Sequence, residues 1–296
     1  MVESSGKPEL FADMVSKLDL KPPIVIKPNW GFSICYTEAK ILDWVLSALK
    51  SKALVVESYG WARTEDALLR KGVGSKTRSA LRKSDKWFLD HSGIGKVLKK
   101  HGVEFLNMTE EVWAGRTANP KLIKELVEAK YPPAKSKELY AAVPLRLYEL
   151  RGGTFLSLAK IRIGAPPIDV SFSVKNLFGM IPNPSRMKYH GKKNALLDQS
   201  ILDINKIYRA LFNVKGIVEG IFTASDMGDK PLDPVIHKNL ELFLGCEDTV
   251  ELDAFTTALV KKNPYQVGHL KLAAELFGRW NDQNVALVAK SNIHVF

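Results

Sequence analysis

The chain has 296 residues, 46% of them apolar and 25% charged, and a formal net charge of +11. That balance belongs to an ordinary globular protein long enough to bury a sizeable core. No window reaches the ~18 uninterrupted apolar residues of a membrane span, and two cysteines far apart in sequence, Cys35 and Cys246, argue against a disulfide framework or a cluster site built by this chain alone.

The opening residues, Met1-Val2-Glu3-Ser4-Ser5-Gly6-Lys7, lack the apolar core of a secretory signal, so a reducing, cytoplasmic setting is expected and no membrane partner. Residues 1–20 read as a tail or short helix, and residues 21–296 as one α/β domain. Pro23-Ile24-Val25-Ile26 reads as a buried strand running into Lys27-Pro28-Asn29-Trp30-Gly31. A helix follows over 37–49, with Thr37 as the expected N-cap and Ile41, Trp44, Val45 and Leu49 on one face. Ala53-Leu54-Val55-Val56-Glu57-Ser58 is the next strand, which completes a βαβ unit and implies parallel pairing. Helical signals over 63–71 lead into a basic segment at 76–100. A third strand covers 103–107 and a helix 120–130.

Residues 138–162 hold two apolar runs separated by Arg151-Gly152-Gly153, which read as a hairpin or strand pair. The second run empties into Ala159-Lys160-Ile161-Arg162. A strong amphipathic helix spans 196–212, and a strand at 216–222 ends in a loop bearing Asp226, Asp229 and Asp233. Helices are expected at 249–262 and 265–278, and a late strand at 285–288. The alternation predicts an α/β fold, a mostly parallel sheet flanked by helices, with any boundary between two lobes falling between 132 and 195.

The chemistry points to residues 171–190. From Ser171 to Lys193 there is no acidic residue, and an apolar run there is broken by Lys175-Asn176 before ending in Arg186, Lys188 and His190. Burying such cations is costly unless something anionic meets them. No phosphate-loop motif, His-Glu-x-x-His motif or serine-nucleophile elbow occurs. Polar residues instead follow the expected strands: Lys27 and Asn29 after the first, Glu57 and Ser58 at the end of the second, Lys160 and Arg162 after Leu156-Ser157-Leu158, and Glu219 on a later one. In open α/β sheets that edge is where ligands bind. Separately, residues 70–100 carry ten Lys or Arg against Asp85 and Asp90. That block reads either as a solvated helical face or as a phosphate-facing surface for nucleic acid.

Four segments occur in a recognisable order: Ile26-Lys27-Pro28-Asn29, Ser92-Gly93-Ile94-Gly95-Lys96-Val97, Ser173-Val174-Lys175-Asn176-Leu177-Phe178-Gly179-Met180-Ile181-Pro182 and Asp248-Thr249-Val250-Glu251-Leu252-Asp253-Ala254. Over residues 22–290 the chain resembles the domain-of-unknown-function family three-six-two, whose members are often described as iron–sulfur proteins. It departs from that family in lacking a ferredoxin-like cysteine module. Where the family tends to read Pro-Lys-Leu-Lys-Thr-His, this chain has Ala159-Lys160-Ile161-Arg162-Ile163-Gly164, and Val218-Glu219-Gly220 replaces Val-Asp-Gly. The resemblance supports the fold and the position of a site, and it brings no established reaction.

The expectation is therefore a protein that binds, and in one version transforms, a small anionic metabolite bearing carboxylate or phosphate. Lys27, Lys160, Arg162 and Lys175 would neutralise its charge, Asn29 and Asn176 orient it, and Arg186 steer it. Lys175, His190 and Glu219 are the catalytic candidates, the last two for moving a proton, and Asp253 would pin the helix that closes the site. No metal ligand set is expected, no iron–sulfur cluster is expected from this chain alone, and any other cofactor is unknown. The alternatives are nucleic-acid binding through residues 70–100 and a redox partnership with a separate iron–sulfur protein, the latter implied by the family alone.

Overall fold

The computed structural model describes residues 2–5, 8–60, 62–72, 76–164, 170–225 and 235–291. The loop acids Asp226, Asp229 and Asp233 lie outside the described residues. In chain order the first half comprises β1 (Val2–Ser5), α1 (Pro8–Ser16), β2 (Ile24–Pro28), α2 (Ala39–Ala48), β3 (Ala53–Glu57), α3 (Glu65–Leu68), α4 (Arg78–His91), α5 (Ile94–His101), β4 (Glu104–Asn107), α6 (Met108–Trp113), α7 (Pro120–Glu128) and α8 (Leu145–Glu149). The second half comprises β5 (Thr154–Arg162), α9 (Ser173–Asn176), α10 (Leu197–Leu211), β6 (Asn213–Ser225), β7 (Val235–Cys246), α11 (Thr249–Leu259), α12 (Gly268–Phe277) and α13 (Asp282–Ala289), with short 3₁₀ turns between them.

All seven strands share one sheet in the order β1-β7-β6-β5-β2-β3-β4. The pairs β2/β3, β3/β4, β2/β5 and β5/β6 are parallel; β7 runs antiparallel to β6, and β1 antiparallel to β7. The mostly parallel α/β fold is thus present, with an antiparallel edge. Successive side chains of a strand point to opposite faces, and the core divides accordingly. Ile24, Ile26, Val55, Leu156 and Leu158 pack with Phe11 and Met14 of α1, Ile41 and Val45 of α2, Phe88 of α4 and Leu98 of α5. Val25, Leu54, Val56, Phe155, Ala159 and Ile161 face the other way, toward Ile123 of α7, Ile204 and Tyr208 of α10, and Val250 and Leu252 of α11. Both faces being covered, the parallel strands read as continuous apolar runs rather than as alternation.

Four local expectations change. The run before Arg151 is no hairpin arm. Its buried Leu139, Tyr140, Val143 and Leu147 follow helical spacing through a 3₁₀ turn (Lys137–Ala142) and α8. Gly153 then enters β5 pressed against the Pro23 carbonyl, where a Cβ would lie 2.0 Å from that oxygen. Residues 285–288 are helical, not a strand: Asn281 caps α13 by accepting from the Gln283 and Asn284 amides, and the buried pair Val285/Val288 is spaced i, i+3 while Leu287 is exposed. Thr37 does not cap α2. Its hydroxyl accepts from the Asn29 amide at 2.9 Å and donates to the Leu158 carbonyl at 3.2 Å, which ties the end of β2 to β5. Strand β7 was not expected, because its polar sequence (His237, Lys238, Asn239, Glu241) hides the pairing.

Candidate functional site

Strand β2 pairs with β3 on one side and with β5 on the other, so the chain's direction across the sheet reverses there. Such a reversal leaves a crevice at the carboxyl ends of the two strands. A cavity of about 180 Å³ occupies that place, between the residues after β2 and β3, the end of β5, and the segment from α9 to His190.

Its floor is a buried polar knot. The Lys27 ammonium, 1% exposed, donates to the Glu57 carboxylate at 2.8 Å, the Pro28 carbonyl at 2.8 Å and the Asn176 side-chain oxygen at 3.1 Å. Asn176 in turn donates to the Lys27 carbonyl at 2.9 Å and the Ser157 hydroxyl at 3.1 Å. Glu57 also accepts from the Trp30 and Ser58 amides. Burial brings Lys27 down to about 8, with Glu57 holding it up against Arg186 and Arg162. Gly179 packs closely on this knot: a Cβ on it would lie 2.6 Å from the Lys27 nitrogen, so a larger residue would have to displace that side chain.

The walls are different, because several of their polar groups have few partners or none among the described residues. Arg162 is 9% exposed. One of its terminal nitrogens donates to the Ser171 hydroxyl at 3.2 Å, whereas its Nε and the other terminal nitrogen are buried with no hydrogen-bond partner among the described residues. The Lys175 ammonium makes no hydrogen bond or ion pair with any described residue, and burial beside Arg162 brings it down to about 7, with only Asp198 opposing. The Asn29 side chain is likewise without a described hydrogen bond, although its backbone is held by Thr37. The imidazole of His190 packs edge-on to Phe178 and lies 3.0 Å from the Asn194 side-chain oxygen; burial lowers its pKa, which favours the neutral ring. Arg186 is tied to the Ile181 and Gly179 carbonyls and to the Ser58 hydroxyl, and its burial brings it down to about 10. Four cationic side chains thus line the cavity against a single carboxylate, Glu57. Phe32, Ile163, Phe178 and Met187 supply an apolar wall, with the Arg162 guanidinium 5.1 Å above the Phe32 ring.

Lys27, Asn29, Arg162, Lys175, Asn176, Arg186 and His190 therefore come together, whereas Lys160, Glu219 and Asp253 do not line the cavity. Lys160 falls on the face of β5 shared by Leu156 and Leu158, toward α2. There its ammonium lies 2.9 Å from Glu38 and 2.9 Å from Glu219, its partner across the β5/β6 ladder, and donates to the Phe222 carbonyl at 2.8 Å. Burial raises the Glu219 carboxyl against the pull of Lys160, with Glu38 adding to the rise. Burial also works against the Lys160 charge, but the two acids hold its pKa above the ordinary range. The ladder slips between Lys160 and Arg162, where β6 spends extra residues, and an irregularity of that kind re-aims the side chains that follow. Asp253, on α11, accepts from the Ser173 and Val174 amides at 2.8 and 2.7 Å and so fixes the start of α9. Burial raises its pKa, against those amides and Arg209.

Glu57, Phe32, Phe178, Gly179 and Met187 complete the cavity but were not among the site candidates. Glu57 carried a signal, a carboxylate ending an apolar strand. The apolar residues carried none that separates a cavity wall from core. The cysteines do not suit a cluster: Cys35 is buried near Lys160, at the carboxyl end of β5, whereas Cys246 pairs with Gly216 near the amino end of β6, and both are free. Among the described residues no group of three His, Cys, Asp or Glu converges to hold a metal ion, and no helix is long and apolar enough to cross a membrane.

A family model described as a domain of unknown function (DUF362) matches residues 157–258, about a third of the chain and a narrower span than the resemblance over 22–290. The match runs from β5 to α11 and contains Arg162, Lys175, Asn176, Arg186 and His190, while the β2 and β3 contributions lie outside it. No curated protein and no solved structure matches the chain.

Proposed function

We propose, on the premise that the chain belongs to the DUF362 family and that this family supplies no reaction, that the protein binds a small anionic metabolite with an apolar portion in the crevice between β2 and β5. The charged group, carboxylate or phosphate, meets Arg162 and Lys175; Asn29 orients it; the apolar portion lies against Phe32, Phe178 and Met187. One observation carries this reading. The Arg162 guanidinium is buried with two nitrogens unpartnered among the described residues, and a buried charged donor without an acceptor is costly enough to imply that a ligand provides one. Lys27 and Glu57 neutralise each other and shape the floor, which leaves the wall cations to the ligand. The free cysteines suit a reducing, cytoplasmic compartment.

The test compares 3-phenylpropionate and phenyl phosphate with neutral 3-phenylpropanamide by calorimetry. At least one anion is expected to bind and the amide to fail. Arg162→Met is expected to weaken the anion by about 2 kcal/mol, roughly thirtyfold. Equal binding of acid and amide, or an Arg162→Met variant as tight as the parent, would refute the reading.

A further inference from the structure

We infer that Lys175 is an amine nucleophile that condenses with the carbonyl of a 2-oxo acid whose carboxylate rests on Arg162. This deepens the anion-site reading and depends on it. Three features of the cavity point to a reactive amine rather than a mere counter-ion. Lys175 has no carboxylate partner among the described residues, in contrast to Lys27 with Glu57 and Lys160 with Glu38 and Glu219. It shares the cavity with Arg162, whose guanidinium keeps donors free for a carboxylate and repels a second positive charge beside it. Phe32, Ile163, Phe178 and Met187 line part of the same cavity, so the partly buried ammonium meets less water there than a surface lysine does. Desolvation together with a neighbouring cation is how a lysine is made nucleophilic near neutral pH, and the fall of Lys175 to about 7 agrees with that arrangement.

In the step, the lone pair of the Lys175 nitrogen attacks the 2-carbon, forming the N–C bond as the carbonyl π bond opens. The nitrogen then gives both its hydrogens to the departing oxygen, which leaves as water and a C=N bond. No oxidant or reductant is consumed. The His190 imidazole, whose neutral form burial favours, lines the same cavity and can relay those protons.

The experiment incubates the full chain with phenylpyruvate or pyruvate and sodium cyanoborohydride, whose hydride reduces any imine to a stable secondary amine, and maps the adduct by peptide mass spectrometry. The expected product is a single adduct at Lys175 with a mass gain equal to the acid less one oxygen. It should be absent in Lys175→Arg and suppressed by excess 3-phenylpropionate. Its yield should climb and level off as pH passes about 7, whereas the reaction of solvated lysines keeps rising toward ~10. If 3-phenylpropionate binds in calorimetry but no adduct forms at Lys175, or adducts scatter over surface lysines, the nucleophile is overturned while the anion site stands. If neither the oxo acids nor 3-phenylpropionate bind, both ideas fall.

Discussion

Two lysines at the same sheet edge show how partners decide what burial does to a side chain. Lys27 keeps a carboxylate at 2.8 Å and two further acceptors, and it serves as a structural floor. Lys175 has no such partners and stays poised between charged and neutral forms. The two leave different signatures in stability. Lys175 titrates near 7 in the fold against 10.5 for the ordinary side chain, so between those values the unfolded chain binds more protons and stability rises with pH. Below about 7 the cost of holding the charged form is fully present; above 10.5 it is gone. Lys175→Met removes that cost. Its stability advantage over the parent, from urea unfolding, should be largest at or below pH 7 and shrink steadily toward pH 10. A pH-independent difference between the two chains would show that the amine is solvated. The sequence made both lysines legible, because each breaks an apolar run with no acid nearby. It did not distinguish them, because the partner that separates their roles, Glu57, lies 30 residues from one and more than a hundred from the other.

At the scale of elements, the site hangs on one short helix. Four residues cannot hold a helix by themselves, and α9 is held from outside: Asp253 accepts its first amides, Ser157 donates to the Ser173 carbonyl at 3.0 Å, and Asn205 of α10 donates to the Val174 carbonyl at 2.8 Å. Asp253→Ala strands two buried amides and should cost about 2–4 kcal/mol in urea unfolding, with Asp253→Asn, which keeps one acceptor, losing roughly half as much. The same Ala variant should weaken anion binding although Asp253 does not touch the cavity. A loss under ~0.5 kcal/mol would mean that α9 is positioned by packing alone. The strands that carry Lys27, Glu57 and Arg162 were readable from their apolar runs, and so was the βαβ unit. The misread elements are those where local chemistry overrides residue type. An Asn281 cap turns a β-branched run into α13, and Pro144 lets an apparent strand begin α8. Lys160 was misplaced because its partners come from elsewhere in the chain: Glu38 before α2 and Glu219 across the ladder take up its charge beside the strand, whereas Arg162, two residues on, reaches the cavity.

Across the whole molecule, the order β4-β3-β2-β5-β6 puts the reversal of the sheet where the unpartnered cations stand, and no sequence pattern alone announces which strands flank that point. Most of the basic block at 70–100 lies on two helices. Helices α4 and α5 bury Leu81, Phe88, Ile94 and Leu98 and turn most of the basic block outward. Part of that block has internal work: Arg82 pairs with Glu110 at 2.6 and 2.8 Å, Arg78 and Arg82 lie over the Trp113 ring, and Lys100 pairs with Asp43. Lys71, Lys76, Lys83, Lys86, Lys96 and Lys99 remain exposed without ion pairs among the described residues. The segment also adjoins the site, since Lys76 and Leu81 share a crevice with Met187 of the cavity wall. If the cavity takes an anion as proposed, a positive field beside it raises the rate of encounter rather than the final affinity. Charge reversal of Lys83 and Lys86 to Glu should therefore slow association of the anionic probe in stopped flow at low salt, with dissociation unchanged and the difference vanishing as salt screens it. With duplex DNA these six exposed lysines permit a slope of log affinity against log salt no steeper than about −5, and no preference among sequences is expected. A sequence-selective complex persisting at ~0.2 M salt would reverse the order of these two roles and make the basic face, not the crevice, the principal binding surface.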